Sequence, residues 1–399
     1  MKLKLALNAS ESQEDYKLLK SALSTVASLR RTAVLRFTSE RLVIISTPGL
    51  PSNSSSILGD TGQLWCTIPR DIFTLYNVVS ARDLNTIAME CSCDALLNVF
   101  KKYDAVISQG TNGTMTIKLQ SMPEWNVTPL LSGDVGGKNG ANGGGSSSSK
   151  PNPVCALGIT FEEVVHRATG GRMGTTSISN TGTSKFIAHS FKIPAKLLFK
   201  AQDSRIQEPM VNYSQLLMYR LPAPQGEWGR GFSNFIRRIE RYTTVQNVKL
   251  SGKGGHGESA DRQRDFGLAL IVNELDWYLE ICWNGPLEVV PQPQNGESEA
   301  HSQPEFTSID DTSPLTALND SEPGTEDNSV YEVVLKRKDW KVCGKLYEGF
   351  EDVVLAISHD ESCVFHCSLS RNSVDDEGQE KNREQGQVIY YMARARRSG

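Results

Sequence analysis

Apolar and polar positions along this chain alternate with two different periods, and the order in which those periods occur is repeated once. Lys2–Leu7 alternates residue by residue and predicts a strand. Over Gln13–Ser28 the period lengthens. Leu19, Leu23 and Val26 fall at i, i+4 and i+7, the apolar stripe of an amphipathic helix, with Ser10 or Ser12 as N-cap and Asp15 in the first turn. Short β-branched runs follow at Ala33–Phe37 and Arg41–Ser46, and Gly62–Ile68 and Thr86–Cys91 read as further strands. Asp94–Tyr103, with Leu96, Leu97 and Phe100 apolar, is a second helix, and Met115–Leu119 is an alternating strand after it.

The second half repeats this order. Between the halves, Ser132–Ser149 is almost all Gly, Ser and Asn and reads as a flexible linker. Order resumes over Pro151–Phe161, and Gly170–Thr183 reads as a solvated loop. Gln215–Leu221 is a strand, and Gly229–Tyr242 is a helix with Phe232, Phe235, Ile236 and Ile239 on one face. Strands Val248–Leu250, Leu268–Val272 and Tyr278–Trp283 come next, then strand Tyr331–Leu335 and helix Lys338–Phe350. Strands Val353–Ile357, Val364–Leu369 and Val388–Met392 complete the pattern, with Asp375–Glu384 as an acidic loop. Many strands and four helices indicate an α+β protein, with antiparallel sheets covered by helices on one side.

Charge changes the picture. The chain of 399 residues carries 42 basic against 46 acidic residues, a formal charge of −4. The stretch Pro286–Asn328 holds ten acids and no Lys or Arg, and removing it leaves 42 basic residues against 36 acidic, a balance of +6. A Pro- and Ser-rich acidic stretch of this kind reads as a disordered insertion in a mildly basic body. No run approaches eighteen apolar residues, so no transmembrane helix is expected, and Met1–Ser12 lacks the apolar core of a secretion signal. The eight cysteines are therefore expected as reduced thiols. Cys91 with Cys93, and Cys363 with His366 and Cys367, lie in strand-like sequence without the second pair a zinc site needs, so no metal is expected. No cofactor site is expected either. Gly252–Gly257 matches a dinucleotide fingerprint only in form, because no helix follows it.

The polar faces of the four helices carry the candidate chemistry. Lys17 and Lys20 lie on the first, Lys101 and Lys102 near the end of the second, Arg237, Arg238 and Arg241 on the third, and Lys338, Lys341 and Lys345 on the fourth. If the halves are structural repeats, these faces can line one surface that attracts a phosphate backbone without reading bases. Ordinary solvated helices also expose lysines, and terminal basic residues complement the helix dipole.

Several long strings resemble the Hus-one-type subunits of the nine-one-one DNA-damage checkpoint clamp. They include Asp15–Lys20, Thr25–Arg31, Gly59–Cys66, Ile206–Pro209, Phe235–Tyr242, Ile271–Trp277, Lys338–Tyr347 and Asp352–Cys367. The likeness departs at 121–150, 168–184 and 286–328. The resemblance implies a sliding-clamp fold of two similar domains, here 1–125 and 153–399, joined by a flexible linker 126–152, with two helices of each domain lining the inner face. It implies a non-catalytic, nuclear subunit of a heterotrimeric ring around double-stranded DNA. The partners it implies are two other clamp subunits, an ATP-dependent clamp loader, DNA with recessed ends, and a checkpoint kinase. Ring closure is then expected through edge strands at Thr114–Gln120 (Thr114, Thr116, Ile117, Lys118) and Asp276–Asn284 (Trp277, Tyr278, Leu279, Glu280). Ser302, in a Ser-Gln dipeptide within the acidic stretch, is the candidate phosphorylation site. Two other readings stand beside this one. One is a checkpoint scaffold that never encircles DNA. The other is a metal-dependent nuclease, for which the densest acids, Asp310-Asp311 and Asp375–Glu377, fall in expected loops.

Overall fold

The computed structural model describes residues 1–48, 61–109, 113–122, 154–166, 184–253, 267–290, 330–369 and 385–396. The chain forms two compact units, one of Met1–Pro209 with His366–Tyr391, the other of Met210–Phe365 with Met392–Gly399.

The first repeat runs β1 (Lys2–Asn8), α1 (Gln13–Leu29), β2 (Thr32–Phe37), β3 (Arg41–Ser46), β4 (Gln63–Pro69), β5 (Leu75–Val79) and β6 (Ile87–Ser92). It continues with α2 (Cys93–Ile107), β7 (Thr114–Ser121), β8 (Val154–His166) and β9 (Ser184–Leu197), followed by a single helical turn, α3 (Lys200–Asp203). The second repeat has the same order: β10 (Leu216–Arg220), α4 (Gly229–Arg237), β11 (Asn247–Lys253), β12 (Leu268–Asn273), β13 (Tyr278–Trp283), β14 (Glu288–Val289) and β15 (Val330–Lys336). Then come α5 (Arg337–Gly349), β16 (Val353–Ser358), β17 (Ser362–Leu369) and β18 (Gly386–Ala393).

The pairing repeats as well. β1 lies between β5 and β7 as β10 lies between β14 and β16. β2 lies between β3 and β6 as β11 lies between β12 and β15, and β4 flanks β3 as β13 flanks β12. All these pairs are antiparallel, so the α+β architecture with two helices per repeat agrees with the period pattern. Alternation explains the core. Leu3, Leu5 and Leu7 of β1 face inward with Tyr16, Leu19, Leu23 and Val26 of α1, while Lys2 and Lys4 face solvent.

Four expectations need correction. The boundary between units falls at Pro209 rather than near residue 125, because β8 pairs along β7 and β9 pairs along β8, which places both in the first unit. Arg36 ties the following segment down as well, donating to the Asp203 carboxylate at 2.8 Å and to the Ile206 carbonyl at 2.8 Å. The expected helix Gly229–Tyr242 ends as an α-helix at Arg237 and tightens to a 3-10 turn over Arg238–Arg241, a common way to finish a helix. The expected insertion from Pro286 begins with ordered chain: Glu288 and Val289 pair with β10, where Arg220 meets the Glu288 carboxylate at 3.6 Å. Finally, Thr114–Ser121 is no edge. It is hydrogen-bonded to β1 on one side and β8 on the other, and Ile117 is buried. The linker 126–152, the loops 170–183 and 375–384, and Ser302 lie outside the described residues.

Candidate nucleic-acid interface

Each unit carries one helix pair, α1 with α2 and α4 with α5. In the first pair, Ser92 caps α2 by accepting from the Ala95 N–H at 3.3 Å. Ser12 occupies the N-cap of α1 but spends its hydroxyl on Asp15, at 2.5 Å. Asp104 couples the two helices: Tyr16 donates to one carboxylate oxygen at 2.5 Å and Lys20 meets the other at 2.7 Å. Burial, and then the hydrogen bond to Asp104, pushes the Tyr16 phenol well above its usual range, so it remains a donor. Lys17, Lys101 and Lys102 are exposed and make no ion pair among the described residues.

In the second pair, Gly344 of α5 faces α4 at ordinary contact distance. A Cβ there would stand 3.4 Å from Ile236 Cγ2 and 3.6 Å from Arg237 Cγ. Trp340 is fully buried and donates its indole N–H to the Ile236 carbonyl at 3.1 Å. Glu348 accepts from Ser233 at 2.7 Å and pairs with Arg237, while Lys341 lies 3.9 Å from Glu240. Arg238, Arg241, Lys338 and Lys345 are exposed and make no ion pair among the described residues. So the ten candidates sort into two kinds. Lys20, Arg237 and Lys341 are already opposite carboxylates, and the other seven are open to an external anion.

The unpaired strand edges are a second feature. β13 is an outer strand of the four-stranded sheet β13-β12-β11-β15. Tyr278 is 60% exposed there, with its hydroxyl on Glu280 at 2.9 Å, and Trp277 stacks obliquely on Tyr242 at 5.7 Å. The edge that pattern reading missed is β9. Among the described residues only Ala195–Leu197 pair with β6, and from Ser184 to Pro194 the sole partner of β9 is β8. Phe186 is 65% exposed on that free stretch. Pro194 fits an edge, since an unpaired side needs no N–H. The aromatic and β-branched residues Phe186, Ile187, Phe191 and Ile193 were the available signal.

Among the described residues no group of three or more His, Cys, Asp or Glu could hold a metal ion, and no helix is long and apolar enough to cross a membrane. Seven cysteines are buried and Cys282 is half-buried. Burial pushes the Cys91 and Cys93 thiols up to about 12 and pulls His366 down to about 4, so all three are neutral near pH 7.

A family model described as "Hus1-like protein" matches residues 1–396. The chain belongs to the Hus1-like family. This Hus1-like chain is 49% identical to "DNA damage checkpoint control protein MEC3" of Saccharomyces cerevisiae, over 99% of the chain and 100% of that protein. It is 43% identical to the protein of the same description from Eremothecium gossypii, again over 99% of the chain and 100% of the relative. Among solved structures it matches the PCNA2–PCNA3 complex of Sulfolobus tokodaii with 14% identity and a TM-score of 0.46, covering 99% of both chains.

Proposed function

We propose that this chain is a non-catalytic subunit of a heterotrimeric, ring-shaped sliding clamp that encircles double-stranded DNA in the nucleus. An ATP-dependent loader would place it at recessed ends near damage, where the loaded ring helps activate a checkpoint kinase. The observation that carries this reading is a pairing within the chain. β18, the ninth strand of the second repeat, pairs antiparallel with β4, the fourth strand of the first, from Gln387↔Thr67 to Tyr391↔Gln63. The equivalent ninth strand β9 and fourth strand β13 each keep an open outer edge. A chain that uses a ninth-to-fourth junction once, and leaves one half of a second junction at each end, is built for head-to-tail addition.

Ring closure in this reading uses β9 in place of the β7 residues Thr114, Thr116, Ile117 and Lys118. It retains Trp277, Tyr278, Leu279 and Glu280 on the β13 side. The apolar stripes of α1, α2, α4 and α5 face their sheets, and in this reading the opposite, basic faces are the ones that meet DNA. Long Lys and Arg side chains on phosphates hold a duplex without distinguishing bases, as sliding requires. The checkpoint role rests on the two relatives, both named as DNA damage checkpoint control proteins.

The test is topological. The chain is co-expressed with two candidate clamp subunits, loaded on gapped circular DNA, and the DNA is then linearised. A ring remains on the circle at salt that strips simple binders and slides off once an end is made. Retention that is the same on circular and linear DNA would instead support a checkpoint scaffold that does not encircle it.

A further inference from the structure

A second basic surface lies on the opposite side of the first unit from α1 and α2. The ladders of β5, β1, β7, β8 and β9 set side chains in register rows across the sheet. One row reads Asn77–Lys4–Lys118–Gly158–Lys192. Its neighbours are Val79–Lys2 on one side and Leu75–Ala6–Thr116–Thr160–Ser190 on the other. The alternate positions Leu3, Leu5, Leu7, Met115, Ile117, Leu157 and Ile159 are buried, so these rows point away from the core.

Lys2, Lys4, Lys118 and Lys192 are all exposed, and none has a carboxylate partner among the described residues. Lys4 and Lys118 stand directly opposite each other, an arrangement that destabilises a sheet. From Lys4 to Lys192 the row spans three strand spacings, about 14 Å. At the β5 end the same face turns apolar: Leu75 is 38% and Val79 48% exposed. Among the described residues β5 is also a terminal strand, with β1 as its only partner.

We propose that this face docks an acidic, extended protein segment that carries aliphatic side chains. Its carboxylates meet the lysine rows, its aliphatic residues cover Leu75 and Val79, and the open edge of β5 offers backbone groups for strand pairing. Charge complementarity selects an acidic ligand. The aliphatic pair selects protein over nucleic acid, because a phosphate backbone gains nothing from exposed Leu and Val. The row holds no arginine and no aromatic ring, the groups that usually fork phosphates or stack bases. This surface is separate from the helix faces and does not depend on ring closure.

The test uses the full chain and a fluorescein-labelled peptide of repeated Glu-Asp-Leu units, read by anisotropy, beside a labelled DNA duplex of equal charge. K4Q/K118Q/K192Q is expected to weaken the peptide about tenfold, from the loss of three surface charge contacts. The same variant should raise the thermal midpoint, because the Lys4–Lys118 repulsion is relieved, so lost binding cannot be lost folding. L75S/V79S should also weaken the peptide about tenfold by removing aliphatic area from the contact. The proposal is overturned if the peptide does not bind the unaltered chain, or if neither variant weakens it. It is equally overturned if the duplex binds as well, responds to the lysine changes and ignores L75S/V79S, which would make the face a phosphate surface.

Discussion

Neutralising the open basic residues of α4, its 3-10 extension and α5 separates this account from a generic basic surface. The perturbation is Arg238, Arg241, Lys338 and Lys345, each changed to Gln; all four are exposed and unpaired among the described residues. Each phosphate contact contributes roughly 0.9 to the slope of log affinity against log salt, so four simultaneous contacts account for a slope of about 3.6. Between 50 and 200 mM salt that slope corresponds to about two decades of affinity, or about 3 kcal/mol. A sliding ring touches phosphates with a subset at any moment, so a loss of about half that slope is expected. The matched control is Lys20, Arg237 and Lys341 changed to Gln, because these already face Asp104, Glu348 and Glu240. The control should lower the slope by less than about one and cost each helix pair about 0.2–1 kcal/mol of stability. The assay is retention of the assembled ring on gapped circular DNA across a salt series. The reasoning fails if the control set weakens retention as much as the open set, or if neither does.

Proline scanning should divide the strands: Glu280→Pro, which removes an N–H from the open β13 edge, should lose heterotrimer formation while the chain stays folded, as read by gel filtration and circular dichroism. Ile117→Pro, on a strand paired on both sides, should unfold the first unit at a cost of about 3 kcal/mol or more. His366 is held near 4 by burial, so below its unfolded value near 6.5 the unfolded chain binds a proton the folded chain refuses. Stability is therefore complete above about pH 6.5 and falls by up to about 3 kcal/mol as pH drops toward 4, a slope that His366→Leu should remove in urea melts. Gly344→Ala should raise the thermal midpoint, since helix propensity gains up to about 1 kcal/mol and the new methyl group meets Ile236 at ordinary contact distance; Gly344→Leu should lower it by wedging α4 from α5.

How much of this was legible in the sequence depends on where each residue sits. Strands whose two faces differ in exposure, such as Arg41–Ser46 and Tyr278–Trp283, have the bounds their residue pattern predicts. All four helices announce themselves by their stripes, because each covers a sheet with one side only. β9 escaped because its outer half has no buried face: Lys185, Phe186, Ile187 and Ala188 are all exposed, so no period of two survives, and Pro194 argues against a strand when no partner is known. Missing β9 made β7 look like the last strand of its repeat, and that misplaced both the edge and the unit boundary. Which of the basic residues face a carboxylate was not legible. Lys20 meets a carboxylate 84 residues away and Arg237 one 111 residues away, separations that no local spacing rule reaches.

The central claim is that β9 and β13 are the two halves of the ring junctions. Hydrogen–deuterium exchange on the chain alone, and then in the complex with its two neighbours, tests it most directly. The account predicts new protection on assembly at Tyr278–Trp283 and along Ser184–Ile193, with Thr114–Ser121 unchanged because its amides are already engaged in the free chain. Protection that appears instead on the solvent faces of the helices, with both strand edges still exchanging at their free rates, would contradict it.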